Sequence, residues 1–94
     1  MKESEYRSKM RIIFDILDTI DEEGEAKITT ILYRANLSYD RLKRYLNELM
    51  GAGLVKEETD RKGRKLFYLT GNGRKMLNEL RKVISLADAF GLRV

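Results

Sequence analysis

Two helically patterned segments stand only two residues apart, and that spacing constrains this chain more than any other feature. The first runs from Ile28 to Ala35 and turns Ile28, Ile31 and Leu32 to one side. The second runs from Ser38 to Met50, with Leu42, Tyr45, Leu46 and Leu49 as its buried face. Asn36 and Leu37 make the turn between them. Ser38 is a good N-cap, and Asp40 falls in the first turn, where a negative charge suits the helix dipole. So short a connection is that of a helix-turn-helix pair.

The flanks extend the pattern. From Ser4 to Glu22, Met10, Ile13, Phe14, Leu17 and Ile20 recur at helical spacing, and Ile12 and Ile16 widen the stripe. This first helix is therefore expected to be buried on more than one side. Gly24 stands where a C-cap belongs, and the acids Asp21, Glu22 and Glu23 before it oppose the dipole, which predicts fraying. Glu25-Ala26-Lys27 is short enough for a sheet edge. Gly53 starts an exit into two strands, Leu54 to Glu58 and Lys65 to Leu69, around a type I turn at Asp60-Arg61-Lys62-Gly63. Thr70 caps a last helix, Gly71 to Phe90, ended by Gly91. Gly71 and Gly73 weaken its first turn by up to about 1 kcal/mol each relative to Ala.

Helix, short strand, helix, helix, hairpin, helix is the winged helix-turn-helix order, a mainly α fold with a small β-hairpin (α+β). No linker or repeat interrupts the 94 residues. One domain is expected: helix 4–22, helix 28–35, recognition helix 38–50, wing hairpin 54–69 and a C-terminal helix 71–90 available for dimerisation.

Composition removes most chemistry. Cys, His, Trp, Pro and Gln are all absent. The usual zinc and iron–sulfur sites, cysteine nucleophiles and Ser-His-Asp triads are therefore excluded. No metal site or cofactor is expected. The lack of disulfides fits a reducing compartment. Apolar runs are only a few residues long, so no membrane span is expected. Met1-Lys2-Glu3-Ser4-Glu5 carries no secretory signal pattern. Asp15 and Asp18 are the nearest thing to a carboxylate pair, but they are expected to face water, where acid–base work is unsupported. Gly71-Asn72-Gly73 lacks the lysine and spacing of a phosphate loop. The chain does not read as an enzyme.

Charge points to a polyanion. Residues 1–26 hold 4 basic and 8 acidic groups, whereas residues 27–94 hold 15 basic and 7 acidic groups. On a helical wheel the outer side of the Ser38–Met50 helix presents Asp40, Lys43, Arg44 and Asn47, with Arg41 on its flank and Tyr39 at its N-terminal end. Arg and Lys pair with guanine edges and Asn with adenine, and a helix of this kind fits the major groove. The hairpin tip adds Arg61, Lys62, Arg64 and Lys65, suited to phosphates or a minor groove. Asp60 reads as a turn former. The expected DNA-binding set is Ser38, Tyr39, Arg41, Lys43, Arg44, Asn47, Arg61, Lys62 and Arg64, with the acidic first helix turned away. The ordinary explanations are a solvated helix face and a hairpin charged against edge-to-edge aggregation.

In the last helix Met76, Leu80, Val83, Ala87 and Phe90 alternate by four and three, and Leu77 and Ile84 add a second row. Two rows exceed what packing on one small domain needs. A homodimer through Met76, Leu80, Val83, Ile84, Ala87 and Phe90 is expected, with Leu80→Asp expected to give a monomer. The alternative is that the helix simply folds back on the first one.

Tyr33-Arg34-Ala35-Asn36-Leu37-Ser38-Tyr39, then Tyr45-Leu46, Leu49, Gly53-Leu54-Val55, Tyr68-Leu69-Thr70 and Gly73, resemble the small archaeal winged-helix proteins related to the ten-a chromatin protein of Sulfolobus. The likeness spans roughly residues 10 to 80. It implies a winged helix, DNA binding and dimerisation by an antiparallel coiled coil of C-terminal helices, with the recognition helix at Ser38 to Met50 and the wing at Thr59 to Lys65. Gly91 ends the last helix earlier than in the family type. Together these readings predict a dimeric, cytoplasmic, nucleoid-associated protein that binds double-stranded DNA, most simply a transcription regulator. A protein-docking winged helix and an architectural chromatin protein are the alternatives.

Overall fold

Helices α1 (Lys9–Glu23), α2 (Ile28–Ala35), α3 (Tyr39–Gly51) and α4 (Gly71–Ala89) alternate with strands β1 (Ala26–Lys27), β2 (Val55–Thr59) and β3 (Lys65–Leu69). The computed structural model describes residues 7–94. Helix α1 starts at Lys9 rather than near Ser4, and residues 4–6 of the expected span lie outside the described residues. The reason is a cap: Ser8 is extended, and its Oγ accepts the Arg11 amide at 3.0 Å.

The centre of the α1 stripe also differs from the expected one. Ile12, Ile16, Leu17 and Ile20 are buried, Ile13 and Phe14 are half-buried, and Met10 is 44% exposed. The residues that were expected only to widen the stripe are its axis, because α2, α4 and β3 all pack on this helix. The acids at its end are met by cations. Arg34 of α2 pairs with Glu22 and Glu23, and Arg74 of α4 reaches Asp21 at 3.2 Å. These partners offset the dipole clash, and α1 stays helical to Glu23 before Gly24 (φ 78).

Asn36 turns the chain between α2 and α3 in the left-handed region (φ 54), and the Leu37 amide donates to the Leu32 carbonyl at 3.1 Å. Ser38 caps α3, its Oγ accepting the Arg41 amide at 3.3 Å. Leu42, Leu46 and Leu49 are buried, while Tyr45 is half-buried at the side of the helix.

The sheet has the order β1-β3-β2 and is antiparallel throughout, with Ala26 opposite Phe67 and Val55 opposite Leu69. Strand β2 begins one residue later than expected. Leu54 is occupied as a connector: its amide donates to the Leu49 carbonyl and its carbonyl accepts the Thr70 amide. Thr70 then caps α4, its Oγ accepting the Gly73 amide at 2.9 Å while its hydroxyl donates to the Gly53 carbonyl at 2.7 Å. Gly73 lies against the Leu54 carbonyl so closely that a Cβ would overlap it. Helix α4 ends at Ala89, with Phe90 as its C-cap and Gly91 at φ 70.

One apolar cluster ties α1, α2, α3, the sheet and α4 together. Leu80 and Ile84, expected in a dimer row, are each only 5% exposed and pack inward with Leu77. The expectation fails for these two because α4 folds back on α1 along this face. Met76, Val83 and Phe90 stay open, at 39%, 49% and 73% exposure.

Candidate nucleic-acid interface

Where the cations of this chain find carboxylates sorts them into two groups. Those around α1 are occupied. Arg7 donates to Asp15 at 2.7 Å, Arg11 lies 3.6 Å from Asp15, and Arg81 reaches Asp18 at 2.8 Å. Asp15 and Asp18 are thus half-buried ion-pair partners rather than carboxylates facing open water. Arg34 is held firmly protonated, above its ordinary range, by its hydrogen bond to Glu22. Arg41, Lys43 and Arg44 of α3, and Arg61 and Lys62 of the hairpin tip, belong to the second group, as do Lys27, Lys75 and Arg93. No carboxylate of the described residues lies within 4.0 Å of any of them. A cation without a partner can take a phosphate without first breaking an ion pair.

The α3 residues sit as their spacing dictates. Asn47 and Arg44 are exposed, Arg41 and Lys43 are half-buried on opposite flanks, and Tyr39 is exposed at the helix start. Arg41, Arg44, Tyr45 and Glu48 share one side and, with Lys9 of α1, line an open groove of about 340 Å³. Lys9 bonds Glu48 at 2.8 Å, which holds its ammonium above its ordinary range. Lys9 was missed in the sequence because no periodicity links it to Glu48, 39 positions away. Ser38 spends a lone pair on the cap, but its hydroxyl hydrogen stays free to donate.

At the wing, Asp60 organises the tip. Its carboxylate accepts the Lys62 amide at 2.8 Å, the Arg64 amide at 2.9 Å and the Arg64 Nε at 2.8 Å. The Arg64 backbone bond is the main reason its carboxyl is held below the ordinary range. Gly63 closes the turn, donating to the Asp60 carbonyl at 3.0 Å. Arg64 is therefore engaged within the turn, unlike Arg61 and Lys62, and Lys65 lies 3.4 Å from Glu57. Lys27, Thr30, Asp60 and Arg64 line a second open groove of about 480 Å³ with Glu23, Glu25 and Leu66. The two grooves share no lining residue. Lys27, at the junction of β1 and α2, is exposed and was also missed, since a lone lysine carries no pattern.

Among the described residues there is no group of three or more potential metal ligands, and no helix is long and apolar enough to cross a membrane.

Known proteins share this architecture. A family model described as winged helix-turn-helix matches residues 6–88. An uncharacterised protein of Methanocaldococcus jannaschii is 32% identical over 83 residues, covering 88% of this chain and 79% of its own. The crystal structure of Sso10a-2, described as a DNA-binding protein from Sulfolobus solfataricus, superposes with a TM-score of 0.79 at 27% identity, over 89% of this chain and 85% of that one. This is the archaeal likeness carried by the Ala35-to-Tyr39 stretch. The PcaV transcriptional regulator of Streptomyces coelicolor shares the fold at a TM-score of 0.79 and 21% identity, over 89% of this chain and 62% of that longer one.

Proposed function

This chain belongs to the winged helix-turn-helix family, and from that premise we propose that it binds double-stranded DNA as a transcription regulator. The unpartnered cations of α3 and the hairpin tip carry this reading. Helix α3 enters the major groove, with Lys43, Arg44 and Asn47 toward base edges. Arg41, with Lys9 beside it, meets phosphate on the flank, and Ser38 and Tyr39 fix the start of the helix on the backbone. Arg61 and Lys62 contact phosphates or the minor groove, while Arg64 holds the turn that presents them. The Sulfolobus structure, described as that of a DNA-binding protein, supports the same partner.

Exposed Met76, Val83 and Phe90, with half-buried Ala87, form the homodimer contact along α4 and its C-cap, without Leu80 and Ile84. Two α3 helices then address two half-sites, about 34 Å apart or a multiple of that. Such a dimer belongs with the nucleoid in the cytoplasm.

Titration of a duplex at several salt concentrations tests the reading. DNA binding predicts a straight line of log K against log salt, with a slope of about −0.9 per phosphate neutralised. Affinity that ignores salt would turn the surface over to a protein partner. Selection of bound duplexes from a random pool separates a regulator, which yields a palindrome, from an architectural protein, which yields no consensus.

A further inference from the structure

Glu48 is the one acid lining the groove that Arg41, Arg44 and Tyr45 of α3 share with Lys9 of α1. It follows Arg44 by four residues, the spacing at which side chains of a helix meet. The same order, arginine first and acid four later, forms an ion pair elsewhere in this chain, between Arg11 and Asp15 at 3.6 Å. Arg44 and Glu48 do not pair. Among the described residues, the Glu48 carboxylate finds a cation within 4.0 Å only in Lys9, which donates to it at 2.8 Å from the other side of the groove.

That choice of partner bears on recognition. An arginine can hold a guanine edge with both prongs only while its guanidinium is free. A carboxylate four residues on is the competitor nearest to hand, and Lys9 occupies it. The ammonium comes from the first turn of α1, beside the Ser8 cap, so no cation of α3 is spent on Glu48. We propose that Lys9 is a positioning residue for base recognition: by holding the Glu48 carboxylate, it keeps Arg44 free to read a base pair. The proposal rests on the reading of α3 as the DNA-facing helix, and it gives Lys9 a duty there beyond lying beside Arg41. Without Lys9, Glu48 turns to Arg44, and a base contact is lost through a residue that itself touches no base. The two partners have side chains 62% and 55% exposed, so their pair adds little to stability and variants at either position stay folded.

The test uses the full chain and a panel of duplexes with single-base changes in its preferred site. Lys9→Gln is expected to bind that site about tenfold more weakly, with discrimination flattened at the same base pair that Arg44→Ala flattens. In a Glu48→Gln background, Lys9→Gln is expected to leave discrimination intact, and Lys9→Arg is expected to keep it in the parent. In the free protein, nuclear magnetic resonance is expected to show the Arg44 Nε proton exchanging with water more slowly in Lys9→Gln than in the parent, as in a paired guanidinium. Discrimination that survives Lys9→Gln, or is lost equally in both backgrounds, overturns the role of Lys9 and leaves DNA binding standing. An Arg44 proton unmoved by Lys9→Gln overturns it with no DNA present. A parent chain that binds no duplex, or binds all of them alike, overturns base reading by α3 and the proposal with it.

Discussion

Gly73 lies on the carbonyl of Leu54 with no room between them for a side chain. The contact locks the start of α4 onto the connector leaving α3, next to the Thr70 cap and its bond to Gly53. Gly73→Ala gains helix propensity but must move backbone, so it is expected to lose about 1–3 kcal/mol net in urea denaturation. Gly71, two residues earlier, meets nothing within 4 Å, and Gly71→Ala is expected to gain up to about 1 kcal/mol. Equal stabilities for the two variants would contradict this packing.

On the proposed homodimer, one face of α4 serves folding and another association. Leu80→Asp places a charge in the monomer's own core and is expected to unfold the chain, which disqualifies it as a probe of dimerisation. Val83→Asp alters a half-exposed position. A folded monomer is expected, with native circular dichroism and half the sedimenting mass.

On the proposed reading, the cations of α3 and of the wing are expected to differ in kind. Arg61→Ala and Arg41→Ala should weaken all duplexes alike and lower the magnitude of the salt slope by about 1 each, as lost phosphate contacts do. Lys43→Ala and Asn47→Ala should instead flatten discrimination at individual base pairs, each at a cost of about 1–3 kcal/mol on the preferred site. Quantitative binding to a panel of single-base variants distinguishes the two patterns. Unchanged affinity in a Lys43→Ala, Arg44→Ala double variant would reject the recognition face.

Asp60 gives the wing an acid limit. Its folded pKa lies below the ordinary value of 3.8, chiefly through the Arg64 amide. Its contribution is therefore full above that value and disappears as pH falls through the folded one. Asp60→Asn should be less stable than the parent at neutral pH by an amount that holds down to about pH 4. Below that the difference should shrink. Denaturant titrations of both proteins across this range test the sign, and a gap that widens on acidification would refute it.

The elements were legible where local chemistry sets them. Ser38, Thr70, Gly53 and Gly91 mark their boundaries through caps and left-handed turns that depend only on near neighbours. The Asp60–Gly63 turn was legible for the same reason. Periodicity alone did not rank the apolar faces. It put Met10 on the main stripe of α1 and Ile16 at its edge, the reverse of their burial, and gave Leu80 and Val83 equal standing on α4, because which side of a helix is covered depends on elements distant in sequence. Gly73 looked like a weak helix position until the Leu54 carbonyl supplied its reason. Lys9 drew no attention at all, since the groove it shares with Arg41 and Arg44 exists only once the start of α1 comes within reach of Glu48 on α3. Arg64 and Arg61 looked alike in the sequence, and only the reach of the Asp60 carboxylate tells them apart.

Strand β1 is only two residues long, yet it pairs with β3 and passes into α2 without an intervening loop. The hairpin and the helix pair are stitched by main-chain bonds at their shared root. Tilting one against the other would break those bonds, so the two are expected to move as one unit, and on the proposed reading a double helix that meets them supplies whatever bending the fit demands.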